Sequence, residues 1–271
     1  MSNVYVMGVG GLGNSLFQIC AAIYYCEKYN YKLNLIKNNT ILFGTSNQFN
    51  KNQMLCINNN YITYDKTILS KFNFINNINS VYHTIHNDFT DNKEHELKNK
   101  DIMISGYNQN INLFKDVFSE IPKYLNLNDN YISNYILNKY GDIKDATLIC
   151  IRIGSDFSHM KKINKTSYLK GLDFLNLNNE EKNKIYIISD IPIGNYFDDN
   201  NFIQVIESDI IQFYFGLSCK NYIISESTFH LWIAYLGTDF GSNTNKNVIC
   251  FNDTDITNRN LNLPPFIKLN Y

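Results

Sequence analysis

Val4-Tyr5-Val6-Met7-Gly8-Val9-Gly10-Gly11-Leu12-Gly13-Asn14-Ser15-Leu16-Phe17 is the stretch that decides the fold. Its apolar residues 4–7 form a short buried strand, and the glycines after them form a tight turn. Leu16, Phe17, Ala21, Tyr24 and Tyr25 then recur near helical spacing, which predicts a helix from about Asn14 to Tyr29. Lys32-Leu33-Asn34-Leu35-Ile36 reads as a second strand. A βαβ unit therefore opens the chain, and it favours an α/β fold with a parallel sheet. Gly8-x-Gly10-x-x-Gly13 also stands where a dinucleotide fingerprint would, with close backbone approach and a helix N-terminus facing an anion. The acid expected at the end of the second strand is absent, since that strand runs into Lys37-Asn38-Asn39 and Glu27 falls inside the helix. NAD(P) or adenylate binding and a plain glycine turn both remain open on this segment alone.

Working outward, residues 38–100 are asparagine-rich and read as irregular helices and loops. Ile102-Met103-Ile104-Ser105-Gly106-Tyr107 restores a strand ending in a turn, and helices follow around Asn112–Phe118 and Asn130–Tyr140. The polar connector Gly141-Asp142-Ile143-Lys144-Asp145 marks the expected boundary, between domains 1–144 and 145–271. Beyond it the α/β rhythm returns. Strands are predicted at Thr147–Arg152, Lys184–Ile188, Asn221–Ile224 and Asn247–Phe251, with helices over Asp209–Ser218 and Ser227–Leu236. Each strand ends in small or polar residues, at the edge where open parallel sheets bind ligands.

The composition narrows the function classes. The 24 basic and 25 acidic residues leave a net charge of −1, which argues against a nucleic-acid partner, since such binders carry a basic surplus. Twenty Tyr and 18 Phe argue against disorder. No apolar run approaches the roughly 18–20 residues that cross a bilayer. The start lacks a basic n-region, so a cytoplasmic protein is expected. The six cysteines are scattered without metal-ligand spacing and read as buried thiols. Sequons begin at Asn38, Asn164 and Asn252 and carry no meaning without secretion.

Three further constellations bear on chemistry. In Cys150-Ile151-Arg152-Ile153-Gly154-Ser155-Asp156-Phe157, an arginine at a strand end beside a flexible glycine can place its fork on a diphosphate. Asp156 stands close enough to orient it or to meet a sugar hydroxyl, and a surface Arg–Asp pair fits the same residues. In Ser225-Glu226-Ser227-Thr228-Phe229-His230-Leu231-Trp232, hydroxyls open an apolar helix as an N-cap, with or without an anion at that terminus. His230 reads as a packed or hydrogen-bonded residue before a catalytic one. Asp253-Thr254-Asp255 matches a metal-binding DxD pattern, but a three-residue acid pattern is cheap and this one lies near the C-terminus.

Taken in order, these pieces resemble one family. Gly10-Gly11-Leu12-Gly13-Asn14-Ser15-Leu16-Phe17-Gln18 resembles the GGLGNQxFQ opening of the α-1,2-fucosyltransferases, and Gly106-Tyr107-Asn108-Gln109 their GYxQ element. Cys150–Gly154 resembles HxRRG, Ile188-Ser189-Asp190 a strand ending in Ser-Asp, and Ser225–Leu236 the SNSTFSWWxAxL helix. Arg152–Phe157 is also similar to the RIGSDW run of protein O-fucosyltransferases. The resemblance implies a GT-B-like pair of Rossmann-type domains with parallel sheets facing a cleft. It implies GDP-fucose as donor, a glycan acceptor, inversion at the anomeric carbon and no required metal or other cofactor. Arg152 would bind the donor phosphates, with Asn14 facing the donor and Asp156 as base or acceptor-orienting group. Gly11, Gly13, Gly154, Asp190, Ser227, Thr228 and Phe229 would line the donor site, and Tyr107 and Gln109 the acceptor side or cleft. The chain departs from the pattern at Cys150, Ile153 and His230, and Gln212 stands where family members often carry an acid. These departures keep a non-catalytic sugar-nucleotide or glycan binder open as an alternative, beside another nucleotide-binding enzyme.

Overall fold

The computed structural model describes residues 1–8, 10–37, 56–57, 60–61, 63–76, 78, 83–86, 97–106, 109, 111–154, 163–182, 184–197, 202–243, 245–252 and 266–270. The chain forms two compact units, Met1–Asp129 and Asn130–Tyr271. The division falls upstream of the expected one at 144. The helix Asn130–Tyr140 packs on a helix of the second unit, so the polar connector lies inside that unit.

In the first unit, β1 (Asn3–Val6), β2 (Lys32–Ile36), β5 (Asn73–Ile75), β6 (His83–His86) and β7 (Ile102–Ser105) pair in parallel in the order β5-β2-β1-β7-β6. A short antiparallel pair, β3 (Cys56–Ile57) and β4 (Asn60–Tyr61), stands apart from this sheet. The helix α1 (Leu12–Tyr29) is buried on almost every face, and the left-handed Asn30 (φ 55°) ends it just before β2. Leu16, Phe17, Ile19 and Ile23 are fully buried, as Val4 and Val6 are on the strand before them. The βαβ unit read from residues 4–36 is therefore the centre of this unit.

The second unit holds β8 (Thr147–Ile151), β9 (Ile185–Ser189), β10 (Ile203–Gln204), β11 (Asn221–Ile223), β12 (Asn247–Phe251) and β13 (Ile267–Leu269). They form one parallel sheet in the order β10-β9-β8-β11-β12-β13. Its longer helices are α2 (Asn130–Tyr140), α3 (Lys165–Leu175), α4 (Asp209–Ser218) and α5 (Thr228–Gly237). Every residue of β8, β9 and β11 is buried, as a parallel sheet covered on both faces requires. Helix α4 crosses α5 closely. A methyl group on Gly216 would stand 2.4 Å from Ile233 Cγ2, so glycine is what allows the approach.

Two polar devices hold the layers in register. In the first sheet Asn73 donates to Asn34, which donates to Asn3, whose backbone N–H donates to Asp101 at 2.7 Å. In the second, Asn247 donates to Asn221 at 2.8 Å, and Asn221 donates to Thr147 at 3.1 Å. The abundance of asparagine, about one residue in six against an ordinary background, thus has a structural use at these strands. Apart from these ladders, the buried carboxylate of Glu207 accepts hydrogen bonds from Tyr135 and Tyr140 at 2.9 Å each and pairs with Lys139. All three donors come from α2, which is thereby fastened to its own unit.

Candidate functional site

In each sheet the strand order reverses beside its first strand, between β1 and β7 in one and between β8 and β11 in the other. The crevice beyond the carboxyl ends of strands at such a reversal is where open α/β sheets bind ligands. The sequence-predicted residues that the structure describes lie at or beside these two places, and each is described within its own unit.

In the first unit, Gly8 and Gly10 take left-handed conformations, φ 65° and 81°. Gly10 also leaves no room for a side chain, because a Cβ there would lie 2.7 Å from Asn14 Nδ2. Gly11 is the N-cap of α1 and is exposed, whereas Gly13 is buried in its first turn. Asn14, one residue further on, accepts a hydrogen bond at Oδ1 from Gln109 Nε2 at 3.0 Å. The first turn of α1 and the segment after β7 are therefore joined by two side chains to which the sequence reading assigns separate roles. Tyr107 lies outside the described residues.

In the second unit, Arg152 follows β8 and Asp190 follows β9, its neighbour. Asp190 Oδ1 accepts from the backbone N–H of Ile153 at 3.0 Å and Oδ2 from that of Gly154 at 2.7 Å. Oδ2 also pairs with Arg152 Nε at 3.3 Å, and the Asp190 side chain is only 7% exposed. Three groups of one turn thus converge on one buried carboxylate. Asp156, Asp253 and Asp255 lie outside the described residues.

On the other side of β8, β11 leads through Ser225, Glu226 and Ser227 into α5, and all three of these residues are buried. Ser227 is the N-cap, yet its hydroxyl makes no capping bond, and the first turn carries no acid. Thr228 and Phe229 open the helix, with the Phe229 ring edge-on to Phe213. His230 is buried, and its Nδ1 shares a 2.7 Å hydrogen bond with Ser225 Oγ, which Tyr168 also engages. The hydrogen-bonded reading of His230 is the one the structure carries. Burial, and secondarily the Arg152 guanidinium, push its pKa down to about 3.

That depression predicts an acid sensitivity. The unfolded chain protonates this imidazole near 6.5 and the folded chain only near 3. The unfolded state thus binds the extra proton between those values. Stability is full above 6.5 and falls with pH, by about 1–2 kcal/mol per unit at most. Between pH 6.5 and 5, wild type is expected to lose roughly 2 kcal/mol more than His230→Gln in urea unfolding. Parallel losses in the two proteins would refute the assignment.

Cys150, at the position where the fucosyltransferase pattern has histidine, is fully buried, and burial pushes its thiol well above the usual range. It therefore packs within the sheet. Cys20, Cys26, Cys150, Cys219 and Cys250 are free and buried. Gln212, on α4, donates to the carbonyls of Ser189 at 3.3 Å and Glu207 at 3.0 Å. Its amide braces the end of β9, a task an acid could not perform by donation. Among the described residues no group of side chains has the composition of a metal site, and no helix is long and apolar enough to cross a membrane.

No protein-family model and no curated protein matches the chain by sequence. Solved structures match it by shape. POFUT1 in complex with GDP-fucose superposes with a TM-score of 0.53 at 9% identity, over 89% of this chain and 95% of that one. NodZ α-1,6-fucosyltransferase co-crystallised with GDP gives 0.51 at 10% identity, over 87% and 93%. A mutant of FUT1 from Arabidopsis thaliana in complex with GDP gives 0.50 at 13% identity, over 87% and 69%. The chain thus has the α/β architecture of the GT-B fucosyltransferases, two Rossmann-like domains each built on a parallel sheet.

Proposed function

We propose that the protein is an inverting fucosyltransferase of the α-1,2 type, moving L-fucose from GDP-fucose to a glycan hydroxyl. The observation that carries this reading is the placement of Arg152 at a strand-order reversal, one strand away from the uncapped N-terminus of α5. A helix end and a guanidinium together favour an anion with several oxygens, as a diphosphate has. The fold shared with enzymes crystallised with GDP or GDP-fucose supports the same donor.

The acceptor oxygen attacks the anomeric carbon of fucose on the face opposite the diphosphate. The bond from that carbon to the β-phosphate oxygen breaks, and its electron pair leaves with GDP. Charge therefore grows on the leaving diphosphate, which preorganised donors stabilise best. Arg152 supplies fixed positive charge there, and Ser227, Thr228 and Phe229 form the wall behind it. Gly154 shapes the turn that carries Arg152. Gly11, Gly13 and Asn14 are proposed donor contacts, Tyr107 and Gln109 acceptor contacts, and Asp156 the group that takes or orients the acceptor proton. We propose a metal-independent reaction, in which the guanidinium and the helix end supply the positive charge.

Incubation with GDP-fucose and an acceptor panel, read as released GDP and fucosylated product, tests the reading. Turnover is expected to persist in excess chelator within about twofold, a change of less than half a kcal/mol in the barrier. GDP is expected to raise the melting temperature, as any ligand of the native state does. Stabilisation by NADP or ATP but not by GDP would replace the proposal with another nucleotide-binding enzyme. GDP-fucose binding without turnover would leave a non-catalytic binder.

A further inference from the structure

We propose that Asp190 is a positioning residue, acting on the donor only through Arg152, and that it makes no donor contact of its own. The inference rests on the donor reading of Arg152 given above. Its basis is how the carboxylate is used. One oxygen is taken by the Ile153 amide, the other by the Gly154 amide and Arg152 Nε, at 3.0, 2.7 and 3.3 Å. A buried carboxylate that accepts from two amides and pairs with a guanidinium is committed to the protein, because its remaining lone pairs are few and poorly exposed. A free carboxylate facing a diphosphate would also repel it.

The same geometry reassigns the turn. A strand end running into glycine looks like an anion-binding loop, in which backbone N–H groups cradle phosphate oxygens. Here the amides of Ile153 and Gly154 already serve an internal anion. The turn is therefore a mount for the arginine, and the anion-binding capacity rests on the guanidinium and the α5 terminus.

The mount is itself braced. Asp190 follows Ser189, whose carbonyl accepts from Gln212 at 3.3 Å and whose hydroxyl accepts from Gln204 at 3.2 Å. Ser189 Oγ in turn donates to the Ile191 carbonyl. Elements α4, β9 and β10 thus all fix the peptide that carries the carboxylate, and the carboxylate fixes the end of β8. Positioning groups of this kind matter because a misplacement on the order of 1 Å can cost about a hundredfold in rate.

The test uses Asp190→Asn in the whole protein, in which an amide N–H₂ must face one of the two backbone donors. Below its melting transition the variant is expected to lose about 10–100-fold in kcat, with the Kd for GDP changed less than threefold. The Ile153 and Gly154 amides should exchange with deuterium about tenfold faster or more, while the amides of β8 keep their protection. Placed on an Arg152→Ala background, Asp190→Asn should lower kcat by less than twofold further, since residues acting as a unit are not additive.

The proposal fails if GDP affinity falls in step with kcat, which would indicate direct donor contact. It fails equally if the full loss persists without Arg152, or if the two amides remain as protected as in wild type. Should Asp190→Asn not fold, Asp190→Glu replaces it under the same three readings, with an intermediate rate and intermediate exchange expected. If wild type neither binds GDP nor turns over GDP-fucose, the donor reading falls alone. Amide exchange then still decides whether Asp190 holds the turn.

Discussion

Arg152→Ala is expected to lower kcat for fucosyl transfer by about a thousandfold, because the charge appearing on the departing GDP loses its fixed counter-charge. Arg152→Lys should recover at most about tenfold, since an ammonium keeps the charge but lacks the planar guanidinium whose Nε pairs with Asp190. The measurement is single-turnover release of GDP at saturating donor. It belongs well below the melting temperature, because the substitution strips a partner from the buried Asp190. A variant within fivefold of wild type would remove Arg152 from the reaction.

Glu207→Ala should be the most destabilising polar substitution outside the site, at about 2–4 kcal/mol in urea unfolding. It leaves the hydroxyls of Tyr135 and Tyr140 without their acceptor, and Lys139 without its counter-ion. Lys139 is 48% exposed, so water replaces much of its share, and the cost falls mainly on the tyrosines. Glu207→Gln keeps one acceptor oxygen and should recover about half of the loss. A cost under about 0.5 kcal/mol, the ordinary range for surface changes, would show that α2 is held by its apolar packing alone.

The parts of the fold legible in the sequence are those where burial is complete. Strands β8, β9 and β11 read as apolar runs because both faces are covered, and α4 is bounded by its apolar face and Asp209. The short strands between residues 56 and 86, and β10 and β13, are only two to four residues long. So short an alternation has no period to detect. Helix α3 is not among the elements read from the sequence, where Asn164 stands only as the start of a sequon. It is an N-cap, accepting from the Ser167 N–H at 2.8 Å, and Leu169, Leu172 and Leu175 behind it carry the i+3 spacing.

For the site, the sequence located the strand ends but not the partnerships across them. Asp190 meets Arg152 because β8 and β9 are neighbours, and Gln109 meets Asn14 because β7 lies beside β1. Strand adjacency is a tertiary fact that no spacing along the chain encodes. His230 illustrates the same limit, since its pairing with Ser225 five residues earlier depends on the bend between β11 and α5.

The relay of amides Thr147–Asn221–Asn247 crosses three strands at their first residues, the end of the second sheet remote from Arg152. Each link hands one donor to the next acceptor, so a slide of any strand by one position would break the chain of contacts and turn its side chains to the opposite face. The far margin therefore works as a fixed datum from which the near margin is measured. Five residues along β8 from that datum, the guanidinium arrives where the neighbouring strands can receive it, and the most common residue of the sequence proves to be what keeps the alignment true.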